Sequence, residues 1–258
     1  QPRLFSNRME ATAQMTVTYI FHSGFLVETP SAVLIFDYFK DPAGVVDSLA
    51  DTGKTVYFIA SHRHPDHFVP QIFTIGKRFA SHKFLLSHEI EKCAAYRRHA
   101  PKTDPDFHPV FLYRGDTFDD GTLRLQAFPS TDIGISSLAS TDGLKIFHAG
   151  DLNLWQWKDA APAEAVKMAR GQFLACLRDI KATGVTSIDA AMYPVDPRQG
   201  NGYEDGARIF VDTFKVKHFF PMHFWDDPAK ATDFAAYRNE TFGEYHALTE
   251  PSDKAIIK

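Results

Sequence analysis

Four potential metal ligands are concentrated in one heptapeptide, Ser61-His62-Arg63-His64-Pro65-Asp66-His67. The apolar run at 56–60 predicts a buried strand, so the heptapeptide lies where the chain turns out of a sheet. Residues two apart on an extended approach point the same way, so His62 and His64 can bind one ion. Asp66 and His67 follow the bend and can face a second ion. Zinc, iron and manganese accept imidazole and carboxylate ligands, so this spacing predicts a metal site.

Two shorter motifs further along the chain contain the same residue types. Asp151 closes the segment Ala149-Gly150-Asp151, and His223 closes Pro221-Met222-His223, each after a predicted strand. Together with the heptapeptide, and in this order, they resemble the metallo-β-lactamase fold superfamily. Their spacing is most similar to the branch that includes the ascorbate-6-phosphate lactonases and other metal-dependent hydrolases. The resemblance implies two bound divalent metal ions, which would be zinc, manganese or iron.

The resemblance also implies a ligand set for each ion, with a shared carboxylate between them: His62 and His64 on the first ion, Asp66, His67 and His223 on the second, and Asp151 as the bridge. Asp37 closes an apolar predicted strand, and the resemblance implies that it braces the metal loop as a hydrogen-bond acceptor. The resemblance also places the turn at His22 beside the cleft that holds the metal ions. From the residues alone, a packed or solvated role is the better interpretation of His22.

The sequence departs from the family pattern at one ligand. The first ion normally has a third histidine on a turn after the midpoint of the chain, where this sequence reads Ser130-Thr131-Asp132. Asp132 is the expected substitute, and its oxygen would shift the preference of the site toward harder ions such as manganese or iron. Alternatively, Asp132 caps a turn and the first site is weak or empty. Both interpretations stay open, and His148 is a third, less favoured candidate.

The elements that position these residues alternate between strands and helices in both halves of the chain. Three strands over 16–37 form a meander, helices are predicted over 41–49, 70–76, 87–99, 204–214 and 228–240, and a longer one begins at Ala163. Asp120-Gly121 and Asp142-Gly143 are hairpin signals. The pattern predicts one α/β domain over 1–258, a four-layered αββα sandwich. Residues 1–14 are interpreted as a loose arm, and 155–183, with Trp155 and Trp157, as a helical cover or lid.

The composition narrows the class of protein. The chain has 258 residues, 44% hydrophobic, with a net charge of −4 and no basic run, which argues against a nucleic-acid partner. No apolar stretch is long enough to span a membrane. Cys93 and Cys176 are the two cysteines, which favours a reducing compartment, the cytoplasm. A small-molecule substrate is expected, and a homo-oligomer is left open.

The function predicted from these observations is metal-dependent hydrolysis. Asp66 would orient a metal-activated water and accept its proton, and the substrate class is an ester, a lactone or a phosphorylated small molecule. Arg63 and Arg198 are candidate anion contacts. The alternatives are an iron-dependent oxidoreductase or dioxygenase of the same fold, a nuclease of the superfamily, and a binding protein without activity. Buried clustered acids and histidines are costly without an ion, which argues against the last.

Overall fold

The computed structural model describes residues 14–237 and 239–258, which form two seven-stranded sheets and five α-helices. The strands follow in chain order: β1 (Met15–Phe21), β2 (Gly24–Glu28), β3 (Ala32–Phe36), β4 (Thr55–Ala60), β5 (His82–Ser87), β6 (Val110–Leu112), β7 (Thr117–Asp119), β8 (Arg124–Phe128), β9 (Ser136–Thr141), β10 (Leu144–His148), β11 (Ser187–Pro194), β12 (Lys215–Met222), β13 (Phe242–Tyr245) and β14 (Lys254–Ile257). The helices are α1 (Gln71–Gly76), α2 (Ala94–His99), α3 (Ala163–Ala182), α4 (Asp205–Thr213) and α5 (Pro228–Asp233).

Each sheet has an antiparallel half and a parallel half. The first sheet has the order β14-β1-β2-β3-β4-β5-β6 and is parallel from β3 to β6. The second has the order β13-β12-β11-β10-β9-β8-β7 and is parallel from β10 to β13. In α/β proteins ligands bind beyond the carboxyl ends of parallel strands. A ligand-binding site is therefore expected among the loops that follow β3, β4, β10, β11 and β12.

The two sheets pack face to face, with helices on their outer faces. Phe25 of β2 meets Phe220 of β12 in the layer between the sheets, with ring centroids 6.4 Å apart. Outside the first sheet, Phe73 of α1 packs against β5. Outside the second, Phe210 of α4 packs against β10 and β11. The layers are thus αββα, which confirms the predicted sandwich.

Several predicted elements are confirmed. Asp142 and Gly143, with φ of 52° and 76°, form the two-residue hairpin turn between β9 and β10. Gly121 lies in the loop of the antiparallel β7–β8 pair. Helix α3 begins at Ala163 and buries four side chains in the core, so it covers the outer face of the second sheet: Phe173, Cys176, Leu177 and Ile180.

The prediction of a helix over 41–49 was wrong, because this segment forms consecutive turns. The Asp41 carboxylate accepts hydrogen bonds from the N–H groups of Val45, Val46 and Asp47, which competes with helical backbone bonding. The predicted helix over 87–99 is split at Cys93, whose extended backbone separates a 3₁₀ turn (His88–Lys92) from α2.

The C-terminal prediction was too helical. The helix expected over 228–240 ends at Asp233 and continues as a short 3₁₀ turn (Phe234–Ala236). The edge strands β13 and β14 were not predicted, because each is only four residues long. Of the expected N-terminal arm, residues 1–13 lie outside the described residues, and Gln14 directly precedes β1. None of the helices in the described ranges has the length and apolar character needed to cross a bilayer.

Candidate metal centre

The Asp37 carboxylate fixes the heptapeptide to the end of β3. Its Oδ1 accepts the Ser61 N–H at 2.7 Å, and its Oδ2 accepts the Ser61 hydroxyl at 2.6 Å. Oδ2 also accepts a hydrogen bond from His67 Nδ1 at 2.7 Å. Asp37 is buried, so these contacts are shielded from water. They are the bracing contacts that the family resemblance implies for Asp37.

Nε2 is the ring atom that three histidines, His62, His67 and His223, point toward Asp151. The Nδ1 atoms of His62, His67 and His223 each lie within 3.0 Å of an oxygen acceptor, respectively Ser61 Oγ, Asp37 Oδ2 and Asp196 Oδ2. This network assigns the ring proton to Nδ1. The lone pair of each Nε2 is then left for a cation, as in metal sites whose outer partners fix the tautomer.

The first cluster consists of His62, His64, Asp132 and Asp151, and its ligand atoms all lie within 4.8 Å of one another. His62 Nε2 is 2.9 Å from His64 Nδ1 and 3.3 Å from Asp151 Oδ2. His64 Nδ1 is 3.5 Å from Asp132 Oδ2. Asp132 therefore lies in the same cluster as His62 and His64, and its role as the substitute ligand stays a prediction. In the described part of the chain its carboxylate accepts no backbone hydrogen bond, which argues against the turn-cap interpretation.

The second cluster consists of His22, Asp66, His67 and His223. Asp66 Oδ2 lies 3.1 Å from His22 Nε2, 3.5 Å from His67 Nε2 and 3.9 Å from His223 Nε2. The structure thus gathers the three residues expected at the second ion. The sequence favoured a packed or solvated role for His22. The structure places His22 Nε2 3.1 Å from Asp66 Oδ2, within the same group of potential ligand atoms.

The carboxylate of Asp151 faces both clusters at once. Its Oδ2 points to His62 in the first cluster, whereas Oδ1 lies 3.1 Å from His67 Nε2 and 3.3 Å from His223 Nε2. One oxygen toward each group is the arrangement expected of a bridging ligand. The two clusters together are called the metal centre below.

One residue that supports the metal centre, Asp196, was not found by sequence reasoning. Asp196 is fully buried after β11, and its Oδ2 accepts the His223 Nδ1–H at 3.0 Å. Arg198 binds the same carboxylate through Nε and Nη2. Asp196 stands in no recognisable motif, so no spacing signal pointed to it.

His148 is not a ligand: it donates from Nε2 to the Ser23 carbonyl, and its Nδ1 accepts the Gly150 N–H.

The charge distribution of the metal centre suits a bound cation. Burial alone would lower the pKa of His67, but the charges of Asp151 and Asp37 raise that pKa well above its ordinary value. Burial would raise the pKa of Asp151, but the neighbouring His67 and His223 hold it well below its usual range. His67 Nε2 and Asp151 Oδ1 are buried and make no hydrogen bond. Such atoms are costly unless an ion coordinates them, so the residues fit divalent metals.

Strained backbone and aromatic side chains surround the second cluster. His22, His223 and Trp225 have φ values of 58°, 61° and 49°, in the left-handed region that costs non-glycine residues about 1–3 kcal/mol each. The Trp225 ring lies 4.2 Å from His22, and Trp155 lies 5.4 Å from His223. Backbone strain of this kind is concentrated at functional sites, which supports a functional role for the residues around the second cluster.

Comparison with solved structures defines the class of fold. A metallo hydrolase from Ignicoccus hospitalis aligns with a TM-score of 0.64 at 18% identity, over 95% of this chain and 99% of the other. The metallo-β-lactamase fold protein YhfI from Bacillus subtilis aligns with a TM-score of 0.63 at 10% identity, over the same shares. CmlA from Streptomyces venezuelae, a diiron β-hydroxylase, aligns at 0.55 and 12% identity over 95% of this chain and 54% of its own. The chain therefore has the metallo-β-lactamase fold.

Sequence relatives extend over nearly the whole chain. The UPF0173 metal-dependent hydrolase of Bacillus licheniformis is 24% identical over 259 residues, covering 95% of this chain and all of the relative. The protein of the same name from Bacillus velezensis is 25% identical over 238 residues, covering 86% and 91%. No protein-family model matches the chain.

If the metal centre binds two ions, the variant Asp132→Ala is expected to lose the ion of the first cluster and to keep that of the second. The reason is that Asp132 is placed at ligand distance in the first cluster alone. Elemental analysis of variant and wild type, each dialysed against the same free metal concentration, measures this ratio. The control is Asp106→Ala, which removes an exposed carboxylate elsewhere. If Asp132 only caps a turn, the metal content stays unchanged and stability falls by about 1 kcal/mol.

Proposed function

We propose that this protein is a metal-dependent hydrolase that acts on a small ester, lactone or phosphorylated substrate. The observation that carries the proposal is the placement of Asp151, whose two oxygens face two separate ligand clusters. The names of the sequence relatives agree with hydrolysis. The finer resemblance to ascorbate-6-phosphate lactonases supports a phosphorylated lactone as one member of the substrate class.

The first cluster would hold one ion and the second cluster the other, with Asp151 between them. When bound, such ions lower the pKa of water toward neutrality and polarise a carbonyl or phosphoryl oxygen. His62, His67 and His223 would keep their Nε2 lone pairs aimed at this place, because each Nδ1 proton is held by an oxygen. The preference between zinc, manganese and iron depends on Asp132, because a carboxylate oxygen is a harder ligand than an imidazole nitrogen and favours manganese or iron.

Asp66 is the residue proposed to accept the proton of the attacking water. Burial raises its pKa, but the hydrogen bond from His22 and the neighbouring His67 outweigh burial and hold the pKa well below its usual range. The carboxylate is therefore ionised at neutral pH. Oδ2 lies in the second cluster, and within the described residues Oδ1 makes no polar contact, so it is available to water. The side chain is 21% exposed, so solvent reaches it.

The substrate side of the metal centre combines aromatic surface with one cation. Trp157 and Trp225 are each 38% exposed, unlike most large apolar residues of this chain. The guanidinium of Arg198 lies 4.8 Å from the Trp225 ring centre and is about half exposed. Asp196 binds Nε and Nη2 of Arg198 and so orients its guanidinium. We propose that Arg198 binds an anionic group of the substrate while a tryptophan ring covers its apolar part.

Replacing Arg198 by alanine is expected to raise KM for an anionic substrate about tenfold, the equivalent of one lost contact of about 1.4 kcal/mol. A phosphate monoester and a neutral acetate ester of 4-nitrophenol provide the paired assay. KM for the neutral ester should change little, and Arg198→Lys should restore part of the loss. Equal losses with both esters would contradict anion binding and would indicate that Arg198 acts by holding Asp196 and His223.

The proposed activity is tested by removing metal with a chelator, dialysing, and reloading with zinc, manganese or iron(II) separately. Each form is assayed against carboxylic esters, γ- and δ-lactones, and phosphate esters. Hydrolysis should disappear with the chelator and return with at least one metal. The proposal fails if a fully loaded protein hydrolyses none of these classes.

An iron-dependent oxidoreductase is the second candidate function. Asp132 favours it, because it adds a carboxylate to the first cluster and makes the site more oxygen-rich. CmlA shares the fold, which is consistent with this candidate but does not assign its chemistry. Oxygen consumption by the iron-loaded protein, without hydrolysis by the zinc-loaded form, would favour oxidation.

We also propose that the protein works in a reducing compartment, the cytoplasm. Cys93 and Cys176 are free thiols, and Cys176 is buried against the core. Burial raises the pKa of the Cys176 thiol, which keeps it protonated and unreactive. Two unpaired thiols are typical of proteins that do not meet an oxidising environment.

A further inference from the structure

A second group of metal-ligating side chains lies away from the metal centre, at the edge of the second sheet. We call His218, Glu244 and His246 the edge cluster. His218 Nδ1 is 3.0 Å from His246 Nε2. Glu244 Oε2 is 3.8 Å from His218 Nδ1 and 3.7 Å from His246 Nε2. Three potential ligand atoms, from β12, from β13 and from the residue after β13, thus form a triangle with sides of 3.0, 3.7 and 3.8 Å.

Strand register explains why these side chains converge. His218 of β12 pairs with Glu244 of β13 in parallel register, so both side chains leave the same face of the sheet. His246 follows two residues after Glu244 and therefore points to the same side. Its N–H donates to the Phe219 carbonyl at 2.8 Å, which extends the ladder past the end of β13.

The imidazoles are held in place before any ion arrives. The His246 ring stacks on the buried Phe220 ring, with centroids 4.7 Å apart and planes 11° from parallel. The His218 side chain is 18% exposed and that of His246 17%, so both are largely covered, whereas that of Glu244 is 72% exposed. A solvated carboxylate beside two largely covered imidazoles leaves one side of the triangle open to water.

The geometry points to a zinc site formed by His218 Nδ1, Glu244 Oε2 and His246 Nε2, separate from the metal centre. Three atoms with these spacings can surround one point at about 2.0–2.2 Å, the usual bond length of zinc to imidazole nitrogen and carboxylate oxygen. Water completes a tetrahedral shell on the exposed side. Two imidazoles and one carboxylate suit zinc better than magnesium or calcium, which prefer oxygen ligands.

An ion at this place would join two paired strands at the edge of the second sheet. Strand β13 has four residues and pairs on one side, with β12. Zinc bound by His218 on β12, by Glu244 on β13 and by His246 directly after β13 would cross-link the two strands. The bound ion stabilises the folded chain, because the unfolded chain lacks the preformed triangle.

The test compares zinc stoichiometry in wild type, Glu244→Ala and His246→Ala. Each protein is stripped with a chelator and dialysed against a free zinc concentration that saturates the wild type, and zinc per chain is measured by elemental analysis. Both variants should hold one zinc fewer than the wild type. The control Glu240→Ala removes an exposed carboxylate just before β13 and should hold as much zinc as the wild type.

Thermal unfolding provides the second measurement. Added zinc should raise the Tm of the wild type and of Glu240→Ala by more than it raises the Tm of Glu244→Ala, because only Glu244→Ala lacks a ligand of the edge cluster. The metal centre is the same in all three proteins, so zinc bound there contributes equally to each Tm. Equal zinc content and equal Tm shifts in all proteins would overturn the proposal. The contact between His218 and His246 would then be a hydrogen bond between two neutral rings. The comparison does not depend on hydrolysis, so it stands apart from the proposed function.

Discussion

Asp151→Ala is expected to abolish hydrolysis and to release both ions of the metal centre. Among the described residues, Asp151 is the one carboxylate whose oxygens face both clusters, and its removal leaves His62, His67 and His223 without their shared partner. Loss of an outer hydrogen-bond partner of a metal ligand costs roughly 10–100-fold in affinity or activity, and loss of the bridge should cost more. Elemental analysis and the reloading assay measure the two effects.

Asp189→Ala is the matched control for this variant. Asp189 lies on β11 and makes a surface ion pair with Lys217, so its removal changes the same net charge without touching the metal centre. Its metal content and activity should match the wild type. Retention of both ions by Asp151→Ala, with the fold intact by circular dichroism, would contradict the bridging role.

His67→Ala is expected to eliminate activity and to lower the metal content, whereas His99→Ala should do neither. His67 is buried between Asp37 and Asp151, and its Nε2 faces the second cluster. His99 is the exposed last residue of α2. Metal per chain, turnover and Tm are measured for both variants in parallel.

The pairing separates ligation from general destabilisation. Removing a buried imidazole also leaves a cavity, so some loss of Tm is expected for His67→Ala. Loss of metal at a temperature where the variant is fully folded is the result that ligation predicts. Equal losses of metal in His67→Ala and His99→Ala would show that both changes act on stability.

The heptapeptide and the strands that lead to the site were predictable because their signals are local. A buried strand followed by His62-x-His64-x-Asp66-His67 fixes where the ligands leave the sheet. Asp151 and His223 were found because each closes a strand, and the carboxyl ends of parallel strands gather at one edge. Asp132 was found by its place in the motif order, and the structure puts it beside His64.

Two placements depend on tertiary geometry: that of Asp196, which sequence reasoning missed, and that of His22, which it named beside the cleft while favouring a packed or solvated role. Asp196 reaches His223 because β11 and β12 are in register up to Pro194 and Met222, so the residues just beyond both strands are neighbours. His22 turns into the second cluster because its backbone takes a φ of 58° after β1. Neither the register of two distant strands nor a left-handed turn at a histidine is visible in residue spacing.

The prediction of a helix over 41–49 failed for a different reason. The segment has a proline near its start and apolar residues at helical spacing, but one side chain decides its conformation. The Asp41 carboxylate binds three successive N–H groups and replaces the carbonyl acceptors of a first helical turn. Propensity and periodicity do not resolve this competition, because both structures satisfy the same backbone donors.

Anomalous diffraction from crystals of the metal-loaded protein is the most direct test of the central claim. Data collected at the absorption edge of the bound metal should show two peaks about 3.5–4 Å apart, the spacing of two-metal hydrolytic sites. One peak should lie among His62, His64 and Asp132, and the other among Asp66, His67 and His223, with Asp151 between them. A single peak in the metal centre, or two peaks that Asp151 does not bridge, would contradict the account.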